Sequence, residues 1–194
     1  MKKIIIGLTG PSGAGKSVVA SVAEEMGFFV VDCDAVARRA VEDENLLFAL
    51  CEAFGEDIIK EGRLERKELA LRAFSSAENT ALLNRLTHPV ITEHIEKKIA
   101  GKSAVVLDAP TLFESGIDKR CDLVIGVLAD EKTRRERIIA RDSLSERDAD
   151  ARMNAAKADE FFRSKCDLLL INNGSLEELK TKAAEKLSQY ITEE

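Results

Sequence analysis

The sequence predicts an α/β fold in which a five-stranded parallel sheet is covered by helices on both faces. Two observations predict it. Short runs rich in Val, Ile, Leu and Phe recur along the chain at Ile4–Leu8, Phe28–Val31, Ala104–Leu107, Leu123–Leu128 and Leu168–Ile171. They do not alternate with polar residues, as expected of strands sheltered on both faces. Segments with helical spacing separate them: Lys16–Met26, several between Asp34 and Ala100, Glu131–Asp142 and Leu176–Gln189. Strands alternating with helices imply parallel βαβ units.

Composition agrees with one folded body. The 194 residues are 45% hydrophobic and 33% charged, ordinary for a globular chain. A chain of this length buries roughly 70% of its unfolded surface and needs no disulfide or metal staple. The net charge of −6 argues against nonspecific binding to nucleic acid or an anionic membrane. Residues 131–165 nevertheless hold ten Lys/Arg against eight Asp/Glu, which suits either a small anionic ligand or a solvated helical face. Cys33, Cys51, Cys121 and Cys166 are scattered, without zinc-site spacing or a disulfide framework. Free thiols suit a reducing compartment. The first apolar run is too short for a signal peptide and enters a glycine-rich turn, and no stretch approaches the ~20 apolar residues of a membrane span. A cytoplasmic protein is expected.

Two stretches interrupt the alternation. Residues 34–99 contain no convincing strand and predict an inserted helical subdomain. Residues 142–165 are polar and charged, as either a mobile lid or an ordinary pair of surface helices would be.

Gly10-Pro11-Ser12-Gly13-Ala14-Gly15-Lys16-Ser17 is a complete G-x₄-G-K-S, the phosphate-binding P-loop motif, placed after a strand and before a helix. Its glycines permit backbone conformations in which successive N–H groups converge on an anion. The helix that follows adds its positive dipole end. Gly10, Gly13, Ala14, Gly15, Lys16, Ser17 and Val18 are the expected nucleotide-binding residues, with Lys16 reaching the β- and γ-phosphates and Ser17 ligating Mg²⁺. With the strand pattern, the motif predicts a three-layer P-loop NTPase fold.

Strand two runs into Asp32 and Asp34. In open parallel sheets the carboxyl ends of strands line the ligand crevice, and a strand neighbouring the P-loop strand would hold Asp32 near the γ-phosphate. A carboxylate there can orient an alcohol and accept its proton. Asp32 or Asp34 could instead cap a helix starting near Ala35. Asp108, ending the third run, fits a carboxylate that helps hold Mg²⁺, or a cap of the next segment. After strand four, Arg134, Arg137 and Arg141 fall within an arc of about 60° on one helix. Such a stripe can neutralise a transferred phosphoryl group or simply face water, and position favours the first role for Arg141. Pro89, after His88, predicts a helix start or a turn.

Together these residues resemble the dephospho-coenzyme A kinase family. The matching elements run in order through the P-loop, Val31-Asp32-Cys33-Asp34-Ala35-Val36-Ala37-Arg38, Gly62-Arg63-Leu64-Glu65-Arg66, Leu83-Asn84-Arg85-Leu86-Thr87-His88-Pro89, Asp108-Ala109-Pro110-Thr111-Leu112-Phe113-Glu114, Arg137 through Arg141-Asp142, and Ile171-Asn172-Asn173-Gly174. The loop is shared by many enzymes, whereas the His-Pro, Pro-x-Leu-Phe-Glu and Asn-Asn-Gly elements are particular. Two departures stand out. The family loop usually reads Gly-Gly-Ile-Gly-Ser-Gly-Lys-Ser, and Pro11, Ser12 and Ala14 here also resemble uridine-kinase-like and guanylate-kinase-like loops. Ala156 stands where the lid commonly has glutamine.

The resemblance implies transfer of the ATP γ-phosphate to the 3′-hydroxyl of dephospho-coenzyme A, with Mg²⁺, by small-molecule chemistry without nucleic acid or membrane partners. It implies a core of residues 1–33, 100–141 and 166–194, a substrate subdomain of 34–99 and a lid of 142–165. Asp32 becomes the base, Lys16 and Arg141 the γ-phosphate stabilisers, and Arg66 and His88 substrate-side residues; the motif and strand-end readings add Ser17 and Asp108 on the metal side and Asp34 as a cap or substrate contact. The alternative is another nucleoside-monophosphate-kinase-like small-molecule kinase, acting on a nucleoside or nucleotide. A GTPase switch would need an Asn-Lys-x-Asp guanine signature, which the late strand lacks.

Overall fold

The computed structural model describes residues 3–60 and 62–191. In chain order the elements are β1 (Ile4–Thr9), α1 (Lys16–Glu25), β2 (Phe29–Asp32), α2 (Cys33–Ala40), α3 (Glu44–Phe54), β3 (Ile59–Lys60), β4 (Arg63–Leu64), α4 (Arg66–Ala73), α5 (Ala77–Ile99), β5 (Ala104–Asp108), β6 (Leu123–Leu128), α6 (Glu131–Asp142), α7 (Glu146–Asn154), α8 (Asp159–Lys165), β7 (Leu168–Ile171) and α9 (Leu176–Leu187). The chain divides into two compact units, residues 1–32 with 101–194 and residues 33–100.

The first unit is built on a five-stranded sheet of order β2-β5-β1-β6-β7, parallel throughout. The five apolar runs of the sequence are these five strands. Their lack of alternation has a visible cause. Ile6, Leu8, Val106, Ile125, Val127 and Leu170 pack into one cluster with Val19, Val22, Leu179 and Leu187 of α1 and α9. The intervening residues face the opposite way and are equally sheltered: Val105 and Leu107 are fully buried, and Gly7 lies against Leu112 and Cys121. The inner strands β5, β1 and β6 therefore bury both faces, while the edge strands β2 and β7 are partly sheltered. β1 is central, with β5 on one side and β6 on the other, so the chain reverses its direction of travel across the sheet at the carboxyl end of β1. Ligands of open α/β sheets bind at such points.

One expectation about neighbours is corrected. β2 does not adjoin β1, because β5 lies between them. Asp32 is paired in register with Asp108, and Asp108 with Leu8. At the usual strand spacing this puts Asp32 roughly 10 Å from β1, across the Asp108 strand. The helix after β2 also begins earlier than Ala35. It starts at Cys33, so Asp34 sits inside its first turn, where a negative charge favours the helix dipole.

The second unit has a core of Leu46, Leu50, Phe54, Ile58, Leu69 and Ala73, with Leu82, Leu83, Leu86 and Val90 of α5 packed against it. Two features there differ from expectation. β3 and β4 form a short antiparallel ladder, with Ile59 opposite Leu64 and Lys60 opposite Arg63. Strands of two residues carry no readable period. Pro89 neither starts nor stops a helix but lies inside α5. An interior proline costs roughly 3 kcal/mol or more, and the apolar residues that α5 buries on both sides of it, from Leu82 to Val90, offset that cost.

Between α6 and β7 the chain forms α7 and α8. Arg135 of α6 holds Asp150 and Glu146 of α7, and Phe161 of α8 makes an edge-to-face contact with Phe113 at 5.5 Å between centroids. Among the described residues no helix is long and apolar enough to cross a membrane. None of the four cysteines is in a disulfide. Burial pushes the Cys121 thiol up to about 12 and the Cys166 thiol up to about 11, with neighbouring aspartates adding to the effect. Since the thiolate is the reactive form, both should react with a disulfide reagent at pH 8 more than about tenfold slower in the native protein than in urea. Equal rates would show that these thiols are not sheltered by the sheet.

Candidate active site

Gly10 to Gly15 connect the central strand to α1. Gly10 has φ 146° and Gly15 has φ 103°, and Gly13 is also in the positive-φ region. At Gly10 a Cβ atom would stand 2.2 Å from the carbonyl oxygen of Val127, a backbone atom that cannot step aside. At Gly15 it would stand 2.3 Å from Nδ2 of Asn172. The loop is thus pressed against β6 and the end of β7, and only glycine fits the turn. The carbonyl of Pro11 accepts a hydrogen bond from the amide of Ala14 at 3.2 Å, so the residue that departs from the family pattern closes the loop's first turn. Ala14 is completely buried.

α1 opens without a side-chain cap, its N-cap being Gly15. Five other helices, α3, α5, α6, α7 and α9, begin with Asp43, Ser76, Asp130, Ser145 and Ser175, each accepting a hydrogen bond from an amide of its own first turn. A helix start that leaves its N–H groups uncapped can offer them, with the dipole's positive end, to an anion. These features fit a phosphate chain: a glycine turn that a Cβ would fill, an uncapped helix start, and a lysine at its first position.

Lys16 and Asp108 are brought together. The Lys16 ammonium donates to Oδ1 of Asp108, and each side chain is 18% exposed. The pair holds the lysine at the carboxyl edge of the sheet, beside the loop. Ser17 is exposed in the first turn of α1 and Val18 is half-buried. Asp32 is exposed at the tip of β2, level with Asp108. Asp32 and Asp108, with Lys16, therefore share the edge at which β1 ends.

The three arginines of α6 have different surroundings. Arg134 is buried, 3.5 Å from Oδ1 of Asp159. Arg137 is half-buried and donates to the carbonyl of Gly13 at 3.5 Å, the carbonyl of Asn172 at 3.3 Å and Oδ1 of Asn172 at 3.4 Å. Arg141 is largely exposed and donates two 2.8 Å hydrogen bonds to Asp142, which raise its pKa. Asp142 also accepts from Arg152. Asn172 is only 5% exposed, and its Nδ2 donates to the carbonyl of Ala14 at 2.8 Å. Sequence reasoning assigned no role to Arg137 or Asn172, although the arginine face and the strand-end Asn-Asn-Gly were visible.

In the second unit, Arg66 opens α4 and its guanidinium donates to the carbonyl of Arg38 at 2.8 Å. His88 is half-buried in α5, and loss of hydration holds its imidazole below the ordinary histidine range. Asp34 is half-buried in α2.

Comparison with known proteins decides the family. The dephospho-CoA kinase (CoaE) family profile matches residues 4–178. The chain belongs to the dephospho-CoA kinase family. A dephospho-CoA kinase of Corynebacterium efficiens is 41% identical over 194 residues, covering 96% of this chain and 97% of that protein. A crystal structure of TT1252 from Thermus thermophilus superposes with a TM-score of 0.84 at 34% identity, covering 99% of this chain and all of that one. The dephospho-CoA kinase of Campylobacter jejuni superposes with a TM-score of 0.70 at 25% identity, covering 97% of each chain.

The glycine turn makes a stability prediction. Gly10→Ala must displace the β6 backbone and should destabilise the protein by about 3 kcal/mol or more, lowering Tm by roughly 6–12 °C. A melt within about 1 °C of wild type would mean that the loop does not press on Val127.

Proposed function

We propose that the protein transfers the γ-phosphate of ATP to the 3′-hydroxyl of dephospho-coenzyme A. The observation that carries this reading is the glycine loop with Lys16 beside Asp108, in a chain of the dephospho-CoA kinase family. The loop amides and the start of α1 bind the phosphate chain through oriented dipoles. Lys16 exchanges Asp108 for β- and γ-phosphate oxygens, so one cation is passed between two anionic partners at low cost. Asp32 orients the acceptor hydroxyl and takes its proton as the new oxygen–phosphorus bond forms. The bond from the γ-phosphorus to the bridging oxygen breaks, and ADP leaves. Arg141, exposed on α6, releases Asp142 and neutralises charge on the transferred group.

The Ser17 hydroxyl and Asp108 would hold Mg²⁺, which neutralises β- and γ-phosphate charge when bound. No cluster of three His, Cys, Asp or Glu residues suited to a metal exists among the described residues. That fits an ion taking most of its ligands from phosphate and water, as Mg²⁺ does.

Asp34, Arg66 and His88 serve the acceptor in this reading. Support for His88 comes from its depressed pKa, which leaves a neutral imidazole able both to donate and to accept at pH 7. Residues 34–99 act as the substrate subdomain, 142–165 as a lid over a core of 1–33, 100–141 and 166–194, and the partners are small molecules. Four scattered cysteines outside any disulfide suit a reducing cytoplasm.

Purified protein should release ADP with dephospho-coenzyme A and not with a panel of nucleosides and nucleoside monophosphates. Turnover of a nucleoside alone would overturn the substrate assignment. Asp32→Asn should lower kcat by roughly 10²–10⁴ while ATP still binds. Near-normal turnover would remove Asp32 from the role of base.

A further inference from the structure

We infer that Asn172, held by Arg137, is a positioning residue that sets the phosphate loop for ATP by tethering the loop's carbonyls from behind. The inference rests on the reading of Gly10–Ser17 as the ATP cradle.

An amide that faces a phosphate turns the carbonyl of its own peptide unit the other way. The unit joining Ala14 to Gly15 is the one concerned: its N–H is that of Gly15, and its carbonyl points into protein, where it must find a donor, because an unpaired buried carbonyl is costly. The carbonyl of Ala14 finds one in Nδ2 of Asn172 at 2.8 Å, inside the protein. The preceding unit, whose Ala14 N–H closes the turn onto the Pro11 carbonyl, is held at its other end, the Gly13 carbonyl accepting from the Arg137 guanidinium at 3.5 Å. The same guanidinium donates to both oxygens of Asn172, at 3.3 Å to the main chain and 3.4 Å to Oδ1. Asn172 is anchored in turn to the sheet, its amide donating to the carbonyl of Leu128 at 2.8 Å.

The chemistry demands an amide side chain. One end must donate to a carbonyl while the other accepts from a cation, which neither aspartate nor leucine can do. The contact also explains why residue 15 is glycine, since any Cβ there would meet Nδ2 of Asn172. Neither residue reaches the reacting atoms in this scheme. They act on ATP only through the direction of the loop's peptide planes.

Asn172→Asp keeps shape and volume but sets a carboxylate oxygen against the Ala14 carbonyl. It should raise the ATP dissociation constant, and the KM for ATP, roughly 10- to 100-fold, with KM for dephospho-coenzyme A within twofold of wild type. A residue that mattered only for folding would not divide the two substrates in this way. Arg137→Gln, which leaves Asn172 in place, provides the second arm and should weaken ATP roughly three- to tenfold; it decides the matter if Asn172→Asp fails to fold. ATP affinity within twofold of wild type in a folded Asn172→Asp protein, or in Arg137→Gln where that is the deciding arm, overturns the inference. Lys16→Ala separates the two layers. If it abolishes ATP binding while the bracing variants do nothing, only the bracing role is lost. If it too leaves ATP affinity unchanged, the cradle reading itself is lost.

Discussion

A peptide unit has two polar ends, and a loop that presents its N–H groups to a ligand must dispose of the carbonyls on the other side. Much of the architecture around residues 10–17 answers that constraint. Positive-φ glycines turn the chain, and β6 crowds it so closely at Gly10 that no side chain fits. Asn172 and Arg137 take up the carbonyls that point inward. The loop leaves the central strand of the sheet, β1. Only a strand flanked on both sides can deliver a loop into a crevice walled by neighbouring strand ends, and β5 and β6 provide those walls.

Charge is arranged along the same edge. Asp108 lies on the strand between Asp32 and the loop strand, and it holds Lys16. The carboxylate row is therefore ordered, with one acid paired to the lysine and the other exposed one strand further out. In the proposed mechanism this division gives the two acids separate roles. On the proposed reading the one beside the lysine governs cation placement, while the exposed one meets the acceptor alcohol.

Much of this was legible in the chain. The apolar runs located the strands because the inner three are buried on both faces and the edge two are still largely apolar, and the loop motif located the turn because its glycines have no substitute. Strand order was not legible. Nothing in Phe28–Val31 tells that β5 will insert between it and β1, since pairing is decided by crossover geometry and not by the strand's own residues. Pro89 misled because local propensity is weaker than the burial of Leu82, Leu83, Leu86 and Val90 around it. Arg137 and Asn172 were visible only as a stripe and a motif. Their contacts join residues more than thirty positions apart, and those with the loop more than one hundred and twenty, a relation that no local window can contain.

The most direct measurement is a crystal structure with Mg²⁺ and a non-hydrolysable ATP analogue. The β- and γ-phosphates should lie in the cradle of residues 13–18, with the Lys16 ammonium moved from Asp108 onto phosphate oxygen, and with the Asp32 carboxylate facing the γ-phosphorus across room for one hydroxyl. Phosphates seated elsewhere on the sheet edge, or an Asp32 side chain turned away from the γ-phosphorus, would contradict the proposed chemistry.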